Sequence, residues 1–320
     1  MSVMCGNVGA KAVAPTSLQM SYKSCSYPPS NSKPAPYKPN ALSWTAKGLG
    51  SATKGVDVSM WQHPSNQQII FTNLSSPSMY GASFAFIKSS DGGNRDGGVS
   101  ATWFQSDRQA AKAAGLIVGG YHYAVPGQSG KGTMIVPARK KKAKNYKKLL
   151  NVAAQYRHND AVLQARQAYK NAMNTPLGDL PLTLDFEERP CGWTWGQVTT
   201  WTRDFLIEAQ RISGRKPIIY ANGYFVNKLN AFPAKDPKKP SQNFDFSVYP
   251  LWLASWSKTV ATAPSSVPIW GTKWTFWQFT SDGALKDSPT APTVPTSHTD
   301  LDVFNGTPEQ LAAFAAKVTS

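Results

Sequence analysis

Short apolar runs alternate with segments of helical spacing along most of this 320-residue chain. The segment from Thr194 to Gly214 has the clearest helix signals, because Thr194 and Gln197 are spaced as a capping box and Gly214 supplies a C-terminal stop. Helical spacing also predicts helices at 102–114 and at about 160–173. Five apolar runs have the length and the flanking residues of buried strands, at 55–59, 83–88, 116–124, 182–188 and 217–221.

The last third of the chain has a different pattern. A Pro-, Lys- and Asn-rich loop is predicted after Tyr224, up to about residue 248. Three short strands follow with little room for helices, at 251–255, 274–279 and 301–304. A final capped helix begins at Thr307 and Pro308. Strand–helix alternation predicts a parallel α/β barrel, so the fold class is a single irregular barrel of five β/α units plus three β-strands.

In such barrels the functional groups lie at the C-terminal ends of the strands. Acids, aromatic rings and amide groups occupy those positions here, which together describe a sugar-binding cleft. The residues placed there by the predicted strands are Asp57, Lys88, Tyr121, His122, Asp185, Glu187, Tyr220, Trp252 and Gln278. Among them, His122 is interpreted as a hydrogen-bonded barrel residue, and Lys88 as a partner of a cleft acid.

The D-x-E pair on the fourth strand carries the candidate chemistry. Side chains alternate along a strand, so Asp185 and Glu187 share one face, about 7 Å apart along the chain, while Phe186 takes the other. Two neighbouring carboxylates repel each other, which raises the pKa of at least one of them. A protonated acid beside an ionised carboxylate is the equipment for cleaving a glycosidic bond. The alternative is a solvated strand end paired with Arg189, and the surrounding ring of polar groups favours the cleft.

The net charge of +16 is concentrated in two segments. Residues 1–54 form a Pro-, Ser- and Lys-rich N-terminal arm with six lysines, and residues 127–157 form a basic insertion with nine basic residues; neither segment contains an acid. The barrel domain at 55–320 is therefore almost neutral outside that insertion. These segments predict attraction to a polyanion, either an anionic cell wall or a nucleic acid. Nucleic acid is the less favoured partner, because aromatic residues do not interleave the basic ones.

Several other classes of protein are disfavoured. The sequence contains no run of 18 apolar residues, so no transmembrane helix is predicted. The N-terminus lacks the basic-then-apolar pattern of a signal peptide. Cys5, Cys25 and Cys191 lack metal-like spacing, and all three are expected to be free thiols. Neither a metal nor a cofactor is predicted, and the sequence leaves the oligomeric state open.

From residue 55 to the final helix, the chain resembles glycoside hydrolase family 25, the lysozymes or N-acetylmuramidases. The matching segments occur in the family's order. They are GVDVSMWQ at 55–62, FAFIKSSDG at 84–92, AAGLIVGGYHYAVPG at 113–127, LTLDFEE at 182–188, GRKPIIYAN at 214–222, PLWLASW at 250–256, WTFWQFTSDG at 274–283 and DLDVFNG at 300–306.

The resemblance implies hydrolysis of the β-1,4 bond between N-acetylmuramic acid and N-acetylglucosamine in peptidoglycan, with retention of configuration. Glu187 matches the family's general acid and Asp185 its partner carboxylate, while Asp57 and Asp300 match two further acids of the cleft. Asp302 stands where the family more often has Asn, which leaves open whether Asp300 or Asp302 faces the cleft. Asp185 acts either as a nucleophile or by orienting the substrate's N-acetyl group.

Substrate-binding roles are expected for the groups around these acids. The candidates are Lys88, Tyr121, Tyr220, Trp252, Gln278 and Trp277, of which Trp277 alternatively faces the core. The favoured source is a phage endolysin, made in the host cytoplasm and active at the cell wall after release, or a virion-associated lysin. The alternative function is a cell-wall binding module whose barrel is catalytically silent.

Overall fold

The computed structural model describes residues 44, 48–128, 146–256, 263–283, 293–295 and 299–317. Eight strands close into one barrel in chain order. Strands β1 to β7 run parallel to one another, whereas β8 is antiparallel to both β7 and β1. The strands are β1 Thr53–Val58, β2 Ala82–Asp91, β3 Ile117–Tyr123, β4 Thr183–Asp185, β5 Ile218–Asn222, β6 Leu251–Ala254, β7 Phe276–Gly283 and β8 Thr299–Phe304. The predicted mixed α/β barrel is confirmed.

Helices pack outside the barrel and across one of its ends. They are α1 Phe71–Ser75, α2 Val99–Ala113, α3 Tyr146–Asn171, α4 Trp195–Ser213, α5 Gly223–Ala231 and α6 Pro308–Ala316. Short 3-10 turns occupy Met60–Gln62, Pro64–Asn66 and Phe246–Val248. The capping boxes predicted for α4 and α6 are both formed, and Gly214 ends α4 in the left-handed conformation with φ 66°.

One helix is longer than predicted, and another helix was not predicted at all. Helix α3 begins at Tyr146, so the end of the basic insertion is helical. Helix α5 lies where a loop was predicted; the Asn222 side chain caps it, and Phe225, Val226 and Leu229 give it a buried face. Most of the 1–54 arm and residues 129–145 of the insertion lie outside the described residues.

Alternation along the strands separates two layers of apolar side chains. The inner layer is aromatic: Phe86 stacks on Trp252 with ring centroids 4.1 Å apart, and Phe276 packs edge-on against Phe84 at 5.2 Å. Gly55 is required at its position on β1, since a Cβ there would collide with the Phe84 ring. Helix α6 closes this end of the barrel, with Leu311 and Ala315 in the same inner cluster. The cavity-lining polar residues lie at the opposite end.

The disulfide state of Cys191 corrects the expectation of three free thiols. Cys191 is disulfide-bonded, and Cys5 and Cys25 lie outside the described residues. Pairing depends on two Cα atoms coming within about 5–6 Å in space. Spacing along the chain could not reveal that proximity.

Candidate active site

The inward positions at the open end of the barrel surround one cavity of about 230 Å³. Strands β1 to β7 deliver their C-terminal ends to this face, and the reversed β8 delivers its N-terminal end, which carries Asp300. Nine of the ten site residues proposed from the sequence line the cavity, namely Asp57, Lys88, Tyr121, Asp185, Glu187, Tyr220, Trp252, Gln278 and Asp300.

Trp277 is the exception, and its proposed role as a stacking platform is wrong. Phe276 and Gln278 point into the barrel, so the residue between them must point outward. The Trp277 side chain is 1% exposed in the outer core, where its Nε1 donates to the carbonyl oxygen of Ser255 at 2.8 Å. Trp277 is a packing residue.

The D-x-E pair lies where β4 ends. Asp185 is the last residue of the strand, and Glu187 continues in the same direction into the cavity. Phe186 points away and packs edge-on against Phe225 at 4.8 Å. Backbone hydrogen bonds from Ala124 N to Asp185 O at 3.0 Å, and from Phe186 N to Tyr220 O at 2.9 Å, tie this segment to both neighbouring strands. Both carboxyl groups are thus held on a rigid part of the barrel.

Burial sets the protonation of this pair. It raises the pKa of Asp185 well above its usual range, and the charge of Glu187 adds to the effect. Burial also raises the pKa of Glu187, whereas a hydrogen bond from Asp185 lowers it. The sequence analysis attributed a raised pKa to repulsion between the two carboxylates; in the structure burial is the main cause for both groups, and repulsion adds to it at Asp185. The pair therefore holds a proton at a pH where isolated carboxyl groups are ionised.

A hydrogen-bond network fixes the cavity wall beside the pair. Gln278 Nε2 donates to Asp57 Oδ2 at 2.8 Å, and Gln278 Oε1 accepts from the Tyr220 hydroxyl and from Trp256 Nε1, both at 2.9 Å. These three bonds determine the orientation of the Gln278 amide. Burial, and next the charge of Asp302, raise the pKa of Asp57. Asp300 lines the cavity, whereas Asp302 is fully buried beneath it, so Asp300 is the acid that faces the cleft.

Cationic groups meet acids at one side of the cavity. Lys88 lines the cavity and donates to Asp91 Oδ2 at 2.7 Å, and Arg95 binds the same carboxylate at 2.7 Å. The Tyr123 hydroxyl donates to Glu188 Oε1 at 2.8 Å. Lys88 also lowers the pKa of both Asp185 and Glu187, although less than burial raises each.

His122 is a buried barrel residue, as the sequence interpretation favoured. Its Nδ1 is hydrogen-bonded to the Ser90 hydroxyl at 2.8 Å and its Nε2 to Gln164 Oε1 at 3.1 Å. Burial lowers the pKa of His122 to about 4, so the ring is neutral at pH 7. Within the described residues, no cluster of His, Cys, Asp and Glu side chains has the arrangement of a metal site. The described helices include none that is long and apolar enough to span a membrane.

Sequence reasoning missed several cavity residues, of which Trp61 is the most exposed. Its side chain stands at the cavity with 71% of its surface exposed, on a 3-10 turn capped by Ser59 and Gln62. His63 anchors this turn, because its Nε2 is hydrogen-bonded to the buried Asp107 at 2.8 Å. The S-x-x-Q capping pattern directly after β1 was the available signal. The other missed cavity residues are Val58, Ser59, Gln62 and Tyr123.

Comparison with known proteins agrees with this geometry. The model of the family described as Glycosyl hydrolases family 25 matches residues 137–288. The protein named Lysozyme M1 of Streptomyces globisporus is 28% identical over 273 residues, which cover 83% of this chain and 72% of that protein. A family GH25 lysozyme structure from Aspergillus fumigatus superposes with a TM-score of 0.56 and 26% identity, over 83% of this chain and all of that one. These likenesses support the resemblance of the chain to glycoside hydrolase family 25, the lysozymes.

The comparisons confirm the enzyme class expected from the sequence, a glycoside hydrolase of the muramidase type. The bacterial lysozyme structure from Streptomyces coelicolor, at 24% identity and a TM-score of 0.55, shares the fold over 84% of this chain and 99% of its own length. The segment that the family model matches, residues 137–288, includes the D-x-E strand end at 182–188.

Proposed function

We propose that this protein hydrolyses the β-1,4 bond between N-acetylmuramic acid and N-acetylglucosamine in peptidoglycan, with retention of configuration. Glu187 is the general acid and Asp185 the stabilising carboxylate. The observation that carries the proposal is the buried, hydrogen-bonded Asp185–Glu187 pair at the end of β4, open to a polar cavity. When two carboxyl groups hold one proton between them, one is a protonated acid and the other an anion, and both can act on the same glycosidic bond.

Glu187 is assigned as the acid because it is the more accessible member of the pair. Asp185 is buried on the strand, whereas Glu187 lies beyond the strand end and is partly exposed to the cavity. The proton that the pair shares can therefore reach the oxygen of the leaving sugar through Glu187. Burial raises the pKa of Glu187, which keeps a proton available at a pH where an ordinary glutamic acid would have lost it.

The closeness of the pair favours substrate-assisted retention. In retaining enzymes with a direct nucleophile, the two carboxyl groups are about 5–5.5 Å apart, on either side of the scissile bond. Asp185 and Glu187 are instead in hydrogen-bond contact. We therefore assign Asp185 to orienting the substrate's N-acetyl group and stabilising the positive charge that develops as this group attacks the anomeric carbon. Asp57 and Asp300 bind hydroxyl groups of the same sugar.

Analysis of the products tests the bond that is cleaved. Purified peptidoglycan is digested, reduced with borohydride and analysed by mass spectrometry. New reducing ends at muramic acid are expected. Reducing ends at glucosamine, or free peptides without new reducing ends, would exclude muramidase activity.

The alternative, a catalytically silent wall-binding module, makes the opposite prediction in a turbidity assay. A silent module would bind isolated bacterial walls without clearing the suspension. The proposed enzyme clears it at catalytic concentrations. The complete set of cavity acids, Asp57, Asp185, Glu187 and Asp300, favours the enzyme.

We also propose that the two basic segments attract the protein to anionic cell walls. Exposed charge acts mainly on the encounter rate and is screened over about 10 Å at 0.1 M salt. Changing Lys140, Lys141, Lys142 and Lys144 to Gln together is expected to slow wall lysis several-fold at low salt and little at 0.5 M salt. Equal loss at every salt concentration would instead show that these residues, which lie outside the described part of the chain, shape the catalytic domain.

Trp61 is proposed as a platform for a sugar ring next to the cleavage site. An exposed indole can stack on the C–H face of a sugar, and losing such a contact costs about 1–1.5 kcal/mol, or roughly tenfold in affinity. Trp61→Ala is therefore expected to weaken binding of a soluble glycan fragment about tenfold, measured by calorimetry in a Glu187→Gln background. The control is Tyr156→Ala, which removes an aromatic side chain that is 43% exposed and does not line the cavity. Equal affinities for the two variants would rule out the platform.

A further inference from the structure

Three aspartates meet at the cavity wall and just below it because strand β8 runs antiparallel to its neighbours. In the β1–β8 pairing, Asp57 lies opposite Asp300 and Gly55 lies opposite Asp302. Asp300 and Asp302 both point into the barrel, since Leu301 and Val303 occupy the outer core. Gly55 contributes no side chain there, and the Phe84 ring fills the space beside it. Asp302 thereby lies one layer below the acids that line the cavity.

The contacts of Asp302 require a proton. Asp302 is 0% exposed, and its Oδ1 accepts from Trp252 Nε1 at 2.8 Å. Its Oδ2 receives no N–H or hydroxyl donor from the described residues. The remaining hydrogen-bond contact of Asp302 is with the carboxyl group of Asp57. Two carboxylates both accept hydrogen bonds, so a contact between them forms only when one of them is protonated.

The surroundings offer no alternative neutralisation. The charged and titratable groups facing Asp57 and Asp302 from the neighbouring strands are Lys88, Tyr121, Asp185, Glu187, Tyr220 and Asp300. Lys88 is the cation among these groups in the described structure, and its ammonium is bonded to Asp91. Negative charges on both Asp57 and Asp302 would therefore be buried together without a counter-charge, which is costly, so the pair carries only one.

We propose that Asp302 is a positioning residue that shares one proton with Asp57, holding the Asp57 carboxyl neutral at the cavity wall while the negative charge stays below, beside Trp252. The Asp57 carboxyl is then fixed by contacts with Gln278, Asp300 and Asp302. A neutral Asp57 adds no negative charge next to Asp185. Asp302 thereby keeps the pKa of the Asp185–Glu187 pair low enough for the pair to release its proton near neutral pH. This electrostatic part of the inference rests on the proposed function.

Replacing Asp302 with Asn tests the shared proton. The Asn amide can donate to Asp57, so the negative charge moves from position 302 up to Asp57, closer to Asp185 and Glu187. A nearer negative charge raises the pKa of an acid. The alkaline limb of the pH–lysis profile of Asp302→Asn is therefore expected to shift upward, by roughly half a pH unit or more. The control is Val303→Ala, which removes outer-core packing from the same strand. It should not change the pH at which the alkaline limb falls.

Thermal unfolding supplies a readout that needs no substrate. Burial raises the pKa of Asp57 and Asp302 in the folded state. Their contribution to stability is therefore complete below the unfolded pKa of about 3.9 and is lost as the pH rises through the folded pKa values. The melting temperature of the native protein should therefore fall, relative to that of Asp302→Asn, as the pH rises from 4 to 8. Val303→Ala should differ from the native protein by a constant amount over the same range.

The two readouts separate the inference from the function on which it partly rests. If the native protein fails to release muramic acid ends, the proposed function is wrong, and the melting curves still decide the shared proton. If the melting difference between native protein and Asp302→Asn is independent of pH, Asp302 shares no proton with Asp57. If the melting curves behave as expected but the pH–lysis limb does not move, Asp302 is a structural acid, and its positioning role is overturned.

Discussion

Glu187→Gln is expected to lower the rate of wall lysis by about a hundredfold to ten-thousandfold, as for other lost general acids. The amide keeps the size of the side chain and accepts and donates hydrogen bonds at the same place, but it carries no transferable proton. Because the acid is held at the cavity rather than in the apolar core, the melting temperature should change little. The measurement is the initial rate of turbidity loss on purified walls, with enzyme concentration fixed by absorbance.

Glu188→Gln is the matched control for this variant. Glu188 is the adjacent acid, it is also buried, and it is bonded to Tyr123 rather than lining the cavity. Its substitution removes one carboxyl charge from the same segment and should cost far less activity than Glu187→Gln. Similar losses in both variants would mean that the segment's total charge, and not the proton on Glu187, determines the rate.

Asp185→Asn is expected to lower lysis by a similar factor while leaving the protein as stable as before or more so. The loss follows because an uncharged amide cannot stabilise positive charge at the anomeric carbon. The gain follows because burial raises the pKa of Asp185 in the folded protein. A raised folded pKa favours the folded state at acid pH and disfavours it as the pH rises through that value. Asn removes this penalty, so any increase in melting temperature should be larger at pH 8 than at pH 4.

Rate and stability must be measured together for Asp185→Asn. Loss of activity with an unchanged or higher melting temperature is the pattern expected of a residue placed for chemistry. Loss of activity with a lower melting temperature at both pH values would show that Asp185 holds β4 in place, and the catalytic assignment would fail.

The barrel and most of its polar end were predictable because strand periodicity encodes both. Alternation alone places Asp185 and Glu187 on one face of β4 and Phe186 on the other, as observed. The same rule, applied to β7, would have put Trp277 outside once Gln278 was placed inside. Because parity was not applied there, the sequence analysis left Trp277 open between a platform and the core, and the core alternative is the one observed.

Other features depend on information that periodicity does not contain. Trp61 stands on an irregular turn after β1, where neither a 2-residue nor a 3.6-residue repeat applies. The depth difference between Asp300 and Asp302 depends on which residues of β1 lie opposite them, Asp57 and Gly55. The disulfide at Cys191 depends on distance in space. Each of these is a tertiary relationship between segments far apart in the chain.

The reversed direction of β8 also decides where the protein can be joined to others. The connection from Gly283 to Thr299 leaves and re-enters the barrel on the face that holds the cavity, whereas β8 delivers the chain to α6 on the opposite face. There Phe314 packs against Phe276 and Phe304, with ring centroids 5.9 and 6.2 Å away. A cargo domain attached after Lys317 would therefore leave the substrate entrance clear. The same cargo inserted between β7 and β8 would stand beside it and compete with the glycan strand.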